Sequence, residues 1–313
     1  MSQQEARSVT VRAPAKINLF LGVGPVRPDG YHPLATVYQA IALYDDVTVT
    51  DDERWSVQLT GESRIDLAEV PADDTNIAIR AGRLLVEHHG LGERAARIEI
   101  HKGIPVAGGL AGGSADAAAT LVALDRLWDL QTPDDELLEL AGRLGSDVPF
   151  ALLGGTAAGT GRGELVEPVA DTGSWWWLVV ENDEGLSTPA VYAAFDRLAH
   201  EIGDGTVADP IIPPALLAAL AEGDVAGLAA SVGNHLTDPA LLLRPDLAHT
   251  FEDAEAAGAL VALLSGSGPT VLLLCESMAH AHIVHREMVD KGHTRVSAVP
   301  APVSGVHVVT SPW

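Results

Sequence analysis

Cysteine is all but absent from this chain: Cys275 is the single one among 313 residues. An intrachain disulfide is therefore excluded, and the usage fits a reducing compartment. Basic residues are scarce as well, 19 against 43 acidic ones, for a formal charge of −24. The lysines are Lys16, Lys102 and Lys291 alone. Nonspecific binding to nucleic acid or to an anionic membrane needs a basic patch, so neither is expected as a partner. Any anionic ligand must be held by a few local positive features. Long apolar runs are missing too: residues 175–180 and 271–275 are strand-sized, far short of a membrane span. The opening "MSQQEARSVTVRAPAK" has no apolar core of signal-peptide length. A soluble cytoplasmic protein is the expectation. What the chain does have is 47% apolar and 20% charged residues, enough for one large or two ordinary globular domains.

Residues 9–21, "VTVRAPAKINLFL", alternate with period two and predict a strand. Val9, Val11, Ala13, Ala15, Ile17, Leu19 and Leu21 share one face; Thr10, Arg12, Pro14, Lys16, Asn18 and Phe20 share the other. "RPDGYHPL" (27–34) is a Pro/Gly turn, and "YDDVTVTDD" and "WSVQLTG" read as two further strands. A helix is predicted over 74–90, a strand over 96–104, and helices over 114–130 and 134–144. A glycine-rich stretch follows at 145–164. Then come a strand at 175–182, with one of its three tryptophans facing away from the other two, and a helix at 187–203. Further helices are expected at 214–222, 224–234 and 246–258, then strand–turn–strand over 259–276, a helix at 278–291 and a last strand near 305–310. Strands interleave with helices in both halves, so the expectation is two α+β domains, 1–167 and 168–313.

Glycine concentrates in "PVAGGLAGGSADAA" (105–118), between a predicted strand and a predicted helix. Ser114 is a natural N-cap there. A helix N-terminus carries about half a positive charge and unpaired N–H groups, and glycines let the preceding backbone wrap phosphate oxygens. No Gly-Lys-Ser/Thr follows, so this is not a Walker A loop. Lys16 and Asn18 form either a solvated strand face or a reactive pair; spacing alone leaves both open. Asp147 in "LGSDVPF" is either a turn aspartate or a carboxylate that deprotonates a hydroxyl. "DGYH" (29–32) offers an aromatic and an imidazole past a tight turn, suited to a planar base. "SGSGPT" (265–270) is a hairpin turn or a second glycine loop facing the first. His280, His282 and His285 share a late helix without a carboxylate or cysteine partner, so no metal site is expected there.

Together, "APAKINLFLGVGPVRPDGYHPL", "TNIAIRAGRLL", "IPVAGGLAGGSADAAATLVALDRLW", "LGSDVPF", "STPAVY" and "LLSGSGPT" resemble the motifs of the GHMP kinases, in the same order and over nearly the whole chain. The branch it resembles phosphorylates the 2-hydroxyl of 4-diphosphocytidyl-2-C-methyl-D-erythritol in the non-mevalonate isoprenoid route, with ATP as co-substrate and Mg2+. Homoserine kinase, a mevalonate-type enzyme and a non-catalytic nucleotide sensor are the alternatives. The resemblance implies a two-domain α+β fold, like ribosomal protein S5 domain 2 at the N-terminus and ferredoxin-like at the C-terminus. It implies Asp147 as catalytic carboxylate with Lys16 as partner. Asn18, Tyr31, His32, Thr188 and Tyr192 would contact the substrate, Tyr31 and Tyr192 sandwiching cytosine. Pro105, Val106, Ala107, Gly108, Gly109, Leu110, Ala111, Gly112, Gly113, Ser114 and Ala115 would hold the ATP phosphates, with Asn76 and Lys102 near the adenine end. Gly266, Ser267 and Gly268 form the third motif. The chain departs from the pattern at Ala107 and Ala111, where relatives carry glycine. It departs again at Ala115, where many carry a second serine, leaving Ser114 as the metal ligand.

Overall fold

The alternation at 9–21 folds as β1 (Ser8–Val23), antiparallel to the long β2 (Leu34–Asp52). The computed structural model describes residues 7–106, 108–182, 184–202 and 207–309. After β2 come β3 (Ser56–Gly61), α1 (Ile77–His89), β4 (Ala95–Lys102), α2 (Gly112–Trp128), α3 (Asp134–Leu144), α4 (Val148–Leu153), β5 (Thr156–Thr160) and β6 (Leu165–Pro168). They form a sheet of order β12-β1-β2-β4-β3, extended by β5 on β2 and β6 on β5, where β12 is His307–Val308. β7 (Trp175–Val180) starts a second sheet. Between it and that sheet's next strand lie α5 (Thr188–Ile202), α6 (Pro214–Glu222), α7 (Val225–Ser231), β8 (Gly233–Asn234), α8 (Thr237–Leu243) and α9 (Leu247–Ala256). β9 (Val261–Leu264), β10 (Val271–Cys275), α10 (Met278–Asp290) and β11 (Val296–Ala301) complete it, in the order β11-β7-β10-β9. Among the described residues, no helix is long and apolar enough to cross a membrane.

Every residue from Ala13 to Gly24 is buried, so neither face of β1 is solvated. The register of the β1–β2 pair shifts between Pro14 and Ala15 and again between Asn18 and Phe20. Such irregularities re-aim side chains and sit beside functional sites; here they bracket Lys16 and Asn18. The Ala-rich α2 supplies fully buried Ala115, Ala117, Ala118, Ala119 and Ala123 to the main core. Alanine favours the helix and lets it lie close on the strands. That core continues into the second sheet through Trp175 and Trp177, while Trp176 packs on the opposite side. Trp177 Nε1 donates to Gln39 Oε1 at 3.0 Å, satisfying the buried indole.

Several boundaries differ from the sequence reading. α2 starts at Gly112, so Ser114 lies in its first turn and is not the N-cap; that position is Ala111, at φ 60°, with no side-chain hydrogen bond. The helix that was expected over 224–234 ends at Ser231, because Gly233–Asn234 pairs in parallel with β1. α8 and β11 were not expected. β11 contains Pro300, which is tolerated because β11 is the edge strand of its sheet. The strand near 305–310 is only His307–Val308.

Cys275 is 1% exposed on β10, and burial pushes its thiol up to about 12. The thiolate is the reactive form, so native protein should resist an aromatic disulfide reagent at neutral pH and release one thiol equivalent on denaturation. Stoichiometric reaction of the native protein within minutes would contradict this.

Candidate active site

A cavity of about 690 Å³ opens beside β1 and is lined by Lys16, Asn18, Tyr38 and Asp147 on one side and by α5 on the other. Lys16 is 6% exposed. Its ammonium donates to Asn18 Oδ1 at 2.8 Å, Asn18 Nδ2 donates to Thr36 Oγ1 at 2.8 Å, and Thr36 Oγ1 donates to the Phe20 carbonyl at 2.6 Å. That relay fixes the lysine. Asp147 directly precedes α4 but makes no capping bond; its carboxylate lies 3.7 Å from Lys16 Nζ. At that distance neither group is used up, and both keep capacity for a ligand. Burial and the Asp147 charge hold the Tyr38 phenol well above its usual range, so it stays a donor beside the carboxylate.

A second cavity, about 370 Å³, is lined by the glycine loop, with Asn76 and Lys102 on its wall. Gly109 and Ala111 line both cavities. Gly109 has φ 75°, and a Cβ there would stand 2.3 Å from the Ser265 carbonyl oxygen. Part of the glycine density therefore lets the two glycine loops touch, with Ser265 Oγ donating to the Gly109 carbonyl at 3.2 Å. Leu110 and Ala115 are buried in the core; the Leu110 carbonyl accepts from the Lys16 amide at 3.1 Å. Leu110, Ser114, Ala115 and Gly268 line neither cavity. Ala107 lies outside the described residues.

Asn76 caps α1 by accepting from the Ala78 amide at 2.8 Å. Its amide also donates to the Pro71 carbonyl at 2.6 Å, so both of its ends already have protein partners. Lys102 is likewise engaged. Its ammonium donates to Asp45 and, at 2.7 Å, to Asp116, all three being at most 2% exposed. Burial alone would lower the Lys102 pKa, but the two carboxylates outweigh it and raise it. Burial pushes the Asp116 carboxyl well above the usual range, against the pull of Lys102. Asp45 also accepts from the amides of Gly103 and Ile104 at 2.8 and 2.9 Å. The cluster thus ties together both ends of the glycine loop.

Tyr31, His32, Thr188 and Tyr192 line the larger cavity with Gly266 and Ser267. Tyr31 is 53% exposed, with the Arg162 guanidinium 5.0 Å from its ring centroid. His32 is buried and packs on Tyr192 with centroids 5.2 Å apart. Burial and the Asp147 charge push the Tyr192 phenol up to about 12. Thr188 Oγ1 and Ser267 Oγ share a hydrogen bond at 2.7 Å, joining α5 to the third motif. Sequence reasoning missed Tyr38, Arg162, Asp196 and Asn234. Asn234 donates to the Leu264 and Gly266 carbonyls at 2.9 and 2.7 Å, holding the third-motif turn. The only signal in the sequence was a lone polar residue closing an apolar helix pattern.

Residues 76–155 match the GHMP kinases N terminal domain, and residues 216–294 match the GHMP kinases C terminal domain. A 4-diphosphocytidyl-2-C-methyl-D-erythritol kinase of Nocardioides sp. strain JS614 is 55% identical over 300 residues, covering 96% of this chain and 99% of that protein. The chain is a GHMP kinase. A protein of the same description from Thermobifida fusca strain YX is 49% identical over 311 residues, with 96% and 98% covered. Among solved GHMP kinases, a 4-(cytidine 5'-diphospho)-2C-methyl-D-erythritol kinase superposes with a TM-score of 0.74 at 33% identity, covering 94% of this chain and 100% of that one. A homoserine kinase from Cytophaga hutchinsonii superposes at 0.72 with 20% identity and 99% of each chain covered, a likeness of fold alone. The GHMP kinase assignment confirms the expected two-domain α+β fold and the use of ATP.

Proposed function

We propose that this GHMP kinase transfers the γ-phosphoryl group of ATP to the 2-hydroxyl of 4-diphosphocytidyl-2-C-methyl-D-erythritol, with Asp147 and Lys16 as the groups at the reacting atoms. The observation that carries the reading is the shared wall: Gly109 and Ala111 line both cavities, so a nucleotide in one meets an acceptor in the other beside Asp147. The identity to relatives of that activity runs along nearly the whole chain.

Phosphoryl transfer passes through a loose transition state, so catalysis rests on alignment and charge stabilisation. The acceptor hydroxyl donates to the Asp147 carboxylate, which orients it in line and takes its proton. Lys16, 3.7 Å from that carboxylate, offsets charge on the transferring oxygens. The uncapped N-terminus of α2 and the glycine-loop amides receive the ATP phosphates. Tyr31 and Tyr192 enclose the cytosine ring.

Magnesium fits the residues present. Among the described residues, Asp116 Oδ1 is buried without a hydrogen-bond partner, on a side chain that lines the smaller cavity. A carboxylate oxygen is the hard donor this ion takes. Asp116 would hold it, and bound magnesium would offset charge on the β- and γ-phosphates. The test of the reading is ATP consumption by purified protein. Consumption that depends on the cytidyl substrate and is absent with homoserine or mevalonate is expected; the reverse dependence would overturn it.

A further inference from the structure

The foot of the glycine loop, Gly103 and Ile104, is gripped from two sides. Asp45 accepts both of its amides, at 2.8 and 2.9 Å. From the other side Arg64 Nη2 donates to the Gly103 carbonyl at 3.0 Å. A Cβ on Gly103 would stand 2.4 Å from the Tyr44 carbonyl oxygen, so the foot lies hard against β2. Arg64 lies just after β3, in the first sheet. Its Nε donates to Glu62 at 2.8 Å and its Nη1 to Glu181 Oε1 at 2.5 Å. Glu181 directly follows β7 in the second sheet, and its side chain is 6% exposed. The Glu181 amide donates to the Arg295 carbonyl at 2.9 Å, at the entry to β11. One planar guanidinium therefore ties the second sheet to the loop foot, and its rigid fork holds the acceptors in one arrangement. Arg64 and Glu181 line a cavity of about 100 Å³ that shares Pro105, Val106 and Gly108 with the smaller cavity described above.

We propose that Arg64, anchored on Glu181, is a positioning residue for ATP: it sets the foot of the glycine loop and couples the seating of the second sheet to nucleotide affinity. This rests on the reading that the loop receives the ATP phosphates. Loop amides hold phosphate only when they converge, and a loop already fixed in that shape binds without the cost of ordering itself. Releasing one side of the foot restores that freedom. The binding lost is common to ground and transition states, so it raises the KM for ATP and leaves kcat little moved.

Calorimetric titration of magnesium ATP into Arg64→Met, Glu181→Ala and the double variant tests this. Each single variant should weaken ATP about three- to tenfold, and the double variant little more than Arg64→Met, because both break one bridge. A charge effect alone has opposite signs, since losing a cation weakens a polyanion and losing a carboxylate strengthens it. Gly113→Asp is the control. Gly113 lines the smaller cavity in the first turn of α2, and a Cβ there meets Ile77 at an ordinary 3.8 Å. Its carboxylate should weaken ATP at least about tenfold by facing the phosphates. ATP affinity unchanged or improved in Glu181→Ala, or a lowered melting temperature with no change in the dissociation constant, would overturn the role of Arg64. Weak binding by Gly113→Asp would then leave the loop reading standing. Wild-type ATP affinity in Gly113→Asp would overturn the loop reading and the proposal together.

Discussion

Asp147→Asn should lower turnover by about 100-fold or more while leaving ATP affinity near the wild-type value, the usual size of a lost general base. Asparagine keeps the shape of the side chain but neither the charge nor the proton affinity. In the native site the carboxylate stands 3.7 Å from Lys16 Nζ and makes no capping bond to α4, so the substitution leaves the local helix intact. The ATP phosphates are assigned to the smaller cavity, which Asp147 does not line. The loss should therefore appear in kcat, with the KM for ATP little moved. Wild-type turnover in this variant would remove Asp147 from the mechanism. A loss confined to the KM for ATP would place it on the nucleotide instead.

Lys102→Met should destabilise the fold by about 3–5 kcal/mol, the range for removing one partner of a buried ion cluster. Methionine fills a similar volume, so the effect isolates the charge. The variant leaves Asp45 and Asp116 facing each other, both at most 2% exposed, without the ammonium that joined them. Burial already holds the Asp116 carboxyl above its usual range, and loss of Lys102 raises it further. A group whose folded pKa is raised contributes most below its unfolded value and loses that contribution as pH rises through the folded value. The deficit of Lys102→Met should accordingly be smallest near pH 4 and grow towards neutrality. Urea midpoints at the two pH values measure it; equal midpoints for variant and wild type at neutral pH would contradict the account. Because the cluster spans both ends of the glycine loop, ATP binding should weaken as well.

The strongest local patterns carried over into the structure with little change. α1 runs from its Asn76 cap to Gly90 in the left-handed region, and the turn between β9 and β10 falls where "SGSGPT" stood. The motif order was enough to name the family. What composition and spacing left open were contacts between distant segments. Alternation placed Lys16 and Asn18 opposite the apolar face of β1, but both are buried there against residues distant in sequence, Thr36 bonded to Asn18 and Asp147 3.7 Å from Lys16. Ser114 looked like a cap because serine often is one; a left-handed Ala111 starts the helix earlier, a conformation that residue type argues against. Asp45, 57 residues before Lys102, and Asp196, far from His32 in sequence, carried no local mark of their partners. Each is one acidic residue among 43, and topology alone singles it out.

A kinase that phosphorylates one hydroxyl of one substrate leaves its signature in the position of the new phosphate. Purified protein, ATP and 4-diphosphocytidyl-2-C-methyl-D-erythritol should give ADP and a phosphomonoester on the 2-hydroxyl, seen by phosphorus NMR with coupling to the methylerythritol carbons. Phosphate found on another hydroxyl, or ATP turnover with homoserine or mevalonate and none with the cytidyl compound, would contradict it.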